Sequence, residues 1–138
     1  MRLEELMIGN WVRDKEHKKI CQVYSIGIWV DGNGEIMVSV KELDGTLKEC
    51  KIDELEGVEL TPEILEKNGW EAFHRWKNMK GILIDVYYQH FNKGIIDILF
   101  KDNSIEVYCE DVLDIFVTSI HQLQNALRLI GIDKEIVI

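Results

Sequence analysis

From Ile82 to Thr118 apolar side chains recur at every second position, and the repeats are separated only by short runs of turn residues. Ile82, Ile84, Val86 and Tyr88 share one face of a first run, and Asn92-Lys93-Gly94 then turns the chain. Ile96, Ile98 and Phe100 follow on one face with Asp97 on the other. After a second turn at Asp102-Asn103, Ile105, Val107 and Cys109 alternate with Glu106 and Tyr108. Asp114 to Thr118 gives a further strand. A period of two is the signature of a strand with one buried face. Strands joined this tightly pair antiparallel, because a parallel return needs a crossover of about a dozen residues or more. The spacing therefore predicts an antiparallel meander.

Two segments break this pattern with helical signals. Thr61-Pro62-Glu63-Ile64-Leu65-Glu66-Lys67-Asn68-Gly69 reads as a short helix. Thr61 is its expected N-cap, and Pro62, the sole proline, sits at the first helical position, where a missing N–H costs nothing. Gly69 suits the left-handed position after the helix, with Trp70 next to it packing back on Leu65. The second helix begins at Ser119, where Ser119 and Gln122 fit a capping box. Ile120, Leu123, Leu127 and Ile130 line one face, and Gly131-Ile132 repeats the glycine stop. Ile136-Val137-Ile138 is too apolar for a free tail and reads as a final short strand.

The first 60 residues are strand-rich. Asn10 to Arg13 is a short strand, and Ile20, Tyr24, Ile26 and Ile28 share one parity of a longer one. Asp31-Gly32-Asn33-Gly34 is a turn; Ile36, Val38 and Val40 alternate with Met37 and Ser39; Asp44-Gly45 marks a hairpin returning through Leu47 to Ile52. Four or five short strands with tight turns suggest a small SH3-like barrel, with a plain hairpin sheet as the alternative. The fold class is α+β and mostly antiparallel. The expected division is 1–60 as barrel or sheet and 61–138 as a meander closed by the C-terminal helix, with one continuous domain as the alternative.

Charge narrows the function classes. The chain of 138 residues carries a net charge of −9. Residues 1–60 hold 8 basic and 13 acidic side chains, net −5, and residues 61–138 hold 8 and 12, net −4. Neither half is a basic module, which disfavours nucleic acid, whose binding draws on neutralised phosphates. Three cysteines, Cys21, Cys50 and Cys109, form no CxxC pair and fall within expected strands, so they read as buried structural thiols of a cytoplasmic protein. The start, Met-Arg-Leu-Glu-Glu, has no apolar core for a signal peptide, and no run approaches a membrane span.

Three stretches carry a family likeness: Leu3-Glu4-Glu5-Leu6-Met7-Ile8-Gly9-Asn10-Trp11-Val12, Leu60 to Trp70, and His121-Gln122-Leu123-Gln124-Asn125-Ala126-Leu127-Arg128 through Gly131-Ile132-Asp133-Lys134-Glu135-Ile136. In these the chain resembles a group of small proteins carried by phages and mobile elements of gut Bacteroidetes. Residues 71–118 show little of the likeness. The group brings no established activity, so the resemblance assigns no residue a role. It implies a bacterial cytoplasmic setting and an accessory role in a mobile element.

The residues themselves suggest two candidate surfaces. His121, Gln124, Asn125 and Arg128 lie at spacings 0, 3, 4 and 7, forming one polar stripe on the last helix, expected to face outward and to meet a partner. The bland alternative is a solvated face, or amides tying down neighbouring loops. His74-Arg75-Trp76-Lys77-Asn78-Met79-Lys80 is the one basic stretch interleaved with aromatics; Arg75, Trp76, Lys77 and Lys80 are its nucleic-acid candidates. The alternative there is a hairpin between the first helix and the first long strand. Trp11 and Trp29 either line a peptide groove or fill a core.

Catalytic signals are absent from the sequence. No GxSxG, P-loop or GxGxxG occurs, and His74, His90 and His121 form no ligand-spaced pair. Asp85 and His90 stand five apart on one strand and so point to opposite faces. No cofactor or metal is expected. The leading expectation is a non-enzymatic accessory protein acting by protein–protein interaction or self-association. The alternatives are a nucleic-acid-binding module and an acidic inhibitor that mimics DNA.

Overall fold

The computed structural model describes residues 1–26, 34–77, 79–92, 94–101 and 104–138, with the backbone alone at 74 and 76. The expected turns at 31–33 and 102–103, Ile28 and Trp29 lie outside the described residues. The chain divides into two compact units. One comprises Met1–Glu59 with Ser119–Asn125, the other Leu60–Thr118 with Ala126–Ile138.

In the first unit, five strands form an antiparallel sheet: β1 (Trp11–Asp14), β2 (Ile20–Ser25), β3 (Met37–Glu42), β4 (Leu47–Lys51) and β5 (Leu55–Gly57). Their order is β4-β3-β2-β1-β5. No ladder joins β4 to β5 among the described residues, and no closed barrel is found among them. Val12, Cys21, Val23, Val38, Val40 and Cys50 all point into one buried cluster. On β2 this corrects the expected parity of Ile20 and Tyr24: Cys21 and Val23 face the core and Tyr24 is exposed, and a register shift between Val23 and Ser25 brings Ile26 back against the cluster. Two features escaped the sequence pattern. A 3-10 turn at Ile52–Glu54 leads into β5, which is only three residues long and returns to pair with β1. Strands this short carry too little periodicity to be read.

Gly57, at the end of β5, lies where the start of the last helix comes close. A Cβ there would stand 2.8 Å from Ser119 Cβ and 3.0 Å from His121 Cε1. Gly57→Ala is therefore expected to destabilise the protein by about 2 kcal/mol through overpacking. Urea unfolding of the variant checks this, with the transition midpoint moving down.

The second unit is a second antiparallel meander: β6 (Glu71–Lys77), β7 (Leu83–Phe91), β8 (Gly94–Lys101), β9 (Ser104–Cys109) and β10 (Leu113–Val117), in the order β10-β9-β8-β7-β6. The expected hairpin over residues 74–80 is instead mostly strand, since β6 pairs along β7 with a register shift between Ala72 and His74. α1 (Pro62–Lys67) starts as the sequence reads, with the Thr61 side chain accepting from Ile64 N–H. Its end is the glycine stop: Trp70 N–H donates to Leu65 C=O at 3.0 Å, and Gly69, at φ +85°, donates to Glu66 C=O. α2 (Ile120–Leu129) closes identically, with Ile132 N–H donating to Leu127 C=O at 2.8 Å and Gly131 at φ +81°.

The last residues do not form the expected strand. No sheet edge takes them up. Instead the Asn68 side chain holds the tail as a strand partner would: its amide donates to Val137 C=O at 2.7 Å and accepts from Val137 N–H at 2.8 Å. Ile136 is buried beside this clasp. Lys67 Nζ also donates to Ile138 C=O at 2.7 Å, so side chains of and beside α1 anchor the apolar tail.

Candidate functional site

Register decides which face of the second sheet is open. Ile98 on β8 pairs with Tyr87 on β7 and Val107 on β9, and Ile98, Tyr87 and Val107 are all buried. Asp97, one residue back, pairs with Tyr88 on one side and Tyr108 on the other. Tyr88, Asp97 and Tyr108 thus form a row across three strands, with Asp97 on the central strand of the five. Leu99 pairs with Val86, and Ile95 with His90, on the same open face. This corrects the expectation that Val86 and Tyr88 belong to the core. β7 is apolar on both faces, with Tyr87 on one and Val86 and Tyr88 on the other, so alternation alone could not choose between them.

These residues line a groove of about 1010 Å³. Phe73 forms one wall. It is the extra residue at the β6 register shift, is 62% exposed, and stands edge-on to Tyr88 at 5.9 Å. Bulges re-aim side chains in this way. Tyr88 is fixed further by the hydrogen bond its hydroxyl donates to Glu71 at 2.8 Å, which also pushes its phenol upward in pKa. Tyr108, 38% exposed, stands on the far side. Four carboxylates line the groove, namely Asp97, Glu106, Glu110 and Asp111, and among the described residues no Lys or Arg does. Glu106 is paired with Lys101 at 3.2 Å. Half-buried Asp97 has no ion pair among the described residues, and burial raises its carboxyl pKa above the usual range. His90 lines the same groove, where its neighbour is the Tyr88 ring at 5.8 Å.

The polar stripe on α2 has a different fate. His121 and Gln124 are 3% and 5% exposed, and Asn125 and Arg128 are half-buried, so the stripe is not an outward face. Gln124 accepts from Trp11 N–H at 3.0 Å and donates to Gly9 C=O at 3.0 Å. Asn125 donates to Glu5 C=O at 2.7 Å and accepts from the Asn10 amide at 2.9 Å. The amides satisfy backbone groups of residues 5–11 that the pairing of Gly9 and Asn10 with Val23 leaves over. His121 Nδ1 is 2.9 Å from the Ser119 hydroxyl, and burial lowers the His121 pKa. His121, Gln124 and Asn125 are thus a structural clasp within the first unit.

The basic candidates are also placed. Arg75 is engaged by Asp85, Nε to Oδ1 at 2.6 Å. Lys77 ends β6 and Lys80 follows it, both exposed; the Trp76 side chain lies outside the described residues. Trp11 is half-buried. The three cysteines are buried and free of disulfides, and burial pushes the Cys21 thiol up to about 11, which makes it unreactive. Among the described residues no group of three His, Cys, Asp or Glu is placed to hold a metal ion, and no helix is long and apolar enough to cross a membrane.

No protein-family model, curated protein or solved structure matches the chain.

Proposed function

We propose that this chain is a non-enzymatic accessory protein that binds another protein, and that it does so through the groove on the open face of the second sheet. One observation carries this reading: a sheet face that a monomer has no structural reason to leave apolar presents Phe73, Tyr108 and Ile95 to solvent around a half-buried carboxylate. Exposed aromatics in a concave, largely apolar surface are the usual anchors of protein recognition. The four lining carboxylates speak against phosphate ligands, and the engagement of Arg75 by Asp85 weakens the nucleic-acid alternative. The resemblance in the three shared stretches is what supports reading it as a bacterial cytoplasmic protein in the service of a mobile element. We also read the first unit as SH3-like. Its support is the order β4-β3-β2-β1-β5, with a 3-10 turn before a short last strand that returns to the first.

Site-specific photocrosslinking tests the docking face. A benzophenone amino acid at position 108 should give a protein adduct in bacterial cells, whereas the same group at exposed Leu47, in the first unit, should not. An adduct digested by nuclease, or equal labelling from both positions, would contradict the proposal.

A further inference from the structure

We infer that the groove takes a lysine side chain of an extended, basic segment of the partner protein, its ammonium seated on Asp97 between Tyr88 and Tyr108. The inference rests on the reading of the open face as a docking surface, and adds to it the chemistry of the occupant. The register supplies the geometry. Tyr88 and Tyr108 flank Asp97 one strand to either side. Adjacent strands lie about 4.8 Å apart. An ammonium on the Asp97 carboxylate therefore comes within reach of both rings, given that an aromatic face attracts a cation out to about 6 Å.

The surroundings select the rest of the ligand. Asp97 lies between Ile95 and Leu99 along its own strand, on the same face. Apolar walls above a single carboxylate suit a slender methylene stem with a compact charged head, which describes lysine. Asp97 accepts no hydrogen bond from a described residue, so its acceptor capacity is open to the three N–H donors of an ammonium. A lone half-buried carboxylate is costly, and a cation brought by a partner removes that cost. The neighbouring Glu106 already has Lys101, whereas Asp97, on the central strand of the groove, has no cation beside it among the described residues. Glu110 and Asp111 then extend the negative field to the β9–β10 end. They would meet further basic residues of the same segment. A groove of about 1010 Å³ is at the upper limit of small-molecule sites, which run to about 1,000 Å³, and so has room for a peptide segment.

Calorimetric titration of the full chain at low salt tests this with defined probes. These are a blocked tetra-lysine peptide and the same peptide with every side chain Nε-acetylated. The unmodified peptide should bind at least about tenfold more tightly than the acetylated one. Asp97→Asn, which keeps the side-chain shape, should abolish that difference, and Tyr108→Leu should reduce it severalfold. Asp133→Asn, an exposed carboxylate outside the groove, should leave it unchanged. If both peptides bind equally well, the groove is a peptide site that does not read a cation, and this inference falls alone. If neither binds, the inference falls while the crosslinking result still decides the docking face. Equal losses from Asp97→Asn and Asp133→Asn would mean diffuse charge attraction and would likewise overturn it.

Discussion

Gln124→Ala is expected to lower the unfolding free energy by about 2 kcal/mol, although alanine is the better helix former. The side chain is 5% exposed and bonds two backbone groups 113 and 115 residues away, Trp11 N–H and Gly9 C=O. Truncation takes an acceptor from Trp11 N–H and one of two donors from Gly9 C=O, which keeps the Gln22 amide at 2.9 Å, and a part-buried group that loses its partner costs about 1–3 kcal/mol. It also removes the second contact of the Asn10 amide, at 3.4 Å. Because Asn10, Gln124 and Asn125 act on one segment, Asn10→Ala and Gln124→Ala together should cost less than the sum of the two. Urea denaturation gives the number, with Leu129→Ala as the control. Leu129 is on the same helix but 79% exposed, and should change stability by no more than about 0.5 kcal/mol. Equal effects at 124 and 129 would show that the stripe is not a clasp.

Asp14→Ala should cost about 3 kcal/mol at neutral pH, and the penalty should shrink in acid. The carboxylate is buried at the end of β1. It accepts from Lys48 Nζ at 2.6 Å, from His17 Nδ1–H at 2.9 Å and from Glu16 N–H at 3.0 Å. Removing it strips the β1–β2 turn of its anchor and leaves the half-buried Lys48 ammonium unopposed. The Lys48 hydrogen bond, more than any other contact, holds the Asp14 carboxyl far below the ordinary carboxylate value of 3.8. A group with a depressed folded-state pKa stabilises the fold fully above its unfolded value and loses that contribution as pH falls below it. The advantage of wild type over Asp14→Ala is therefore constant from pH 7 to about 5. By pH 3 it should have fallen by about 1 kcal/mol, since each pH unit below 3.8 removes about 1.4 kcal/mol. Denaturant midpoints at pH 7, 5 and 3 measure it.

What the sequence discloses here follows the range of the interaction involved. Both helix stops are local, and their glycines, their left-handed backbone and their six-residue hydrogen bonds are as the spacing indicates. The meander is nearly local, because each strand pairs with its neighbour in the chain. The α2 stripe fails as an outward face because its partners lie at residues 5–11, at the other end of the chain. A row of His, Gln and Asn looks the same in sequence whether it meets water or irregular backbone. The groove was hidden for another reason. Alternation alone turns Asp97 away from Ile96 and Ile98, and Tyr108 away from Val107 and Cys109, but it puts Tyr88 on the core side. Tyr87 and Tyr88 are adjacent and both aromatic, and only the pairing of Tyr88 with Asp97 tells which one is outside. A charged residue at the middle of a strand flanked by aromatic-bearing strands was the available signal.

The central claim is that the open face of the second sheet is the binding surface. Backbone amide NMR of the full chain during titration with blocked tetra-lysine tests it most directly. The account predicts that shift changes concentrate on β7, β8 and β9 around Tyr88, Asp97 and Tyr108, and on Phe73. The amides of β1 to β5 should stay in place. Changes centred on the first unit, or spread evenly over the acidic surface of both, would contradict it.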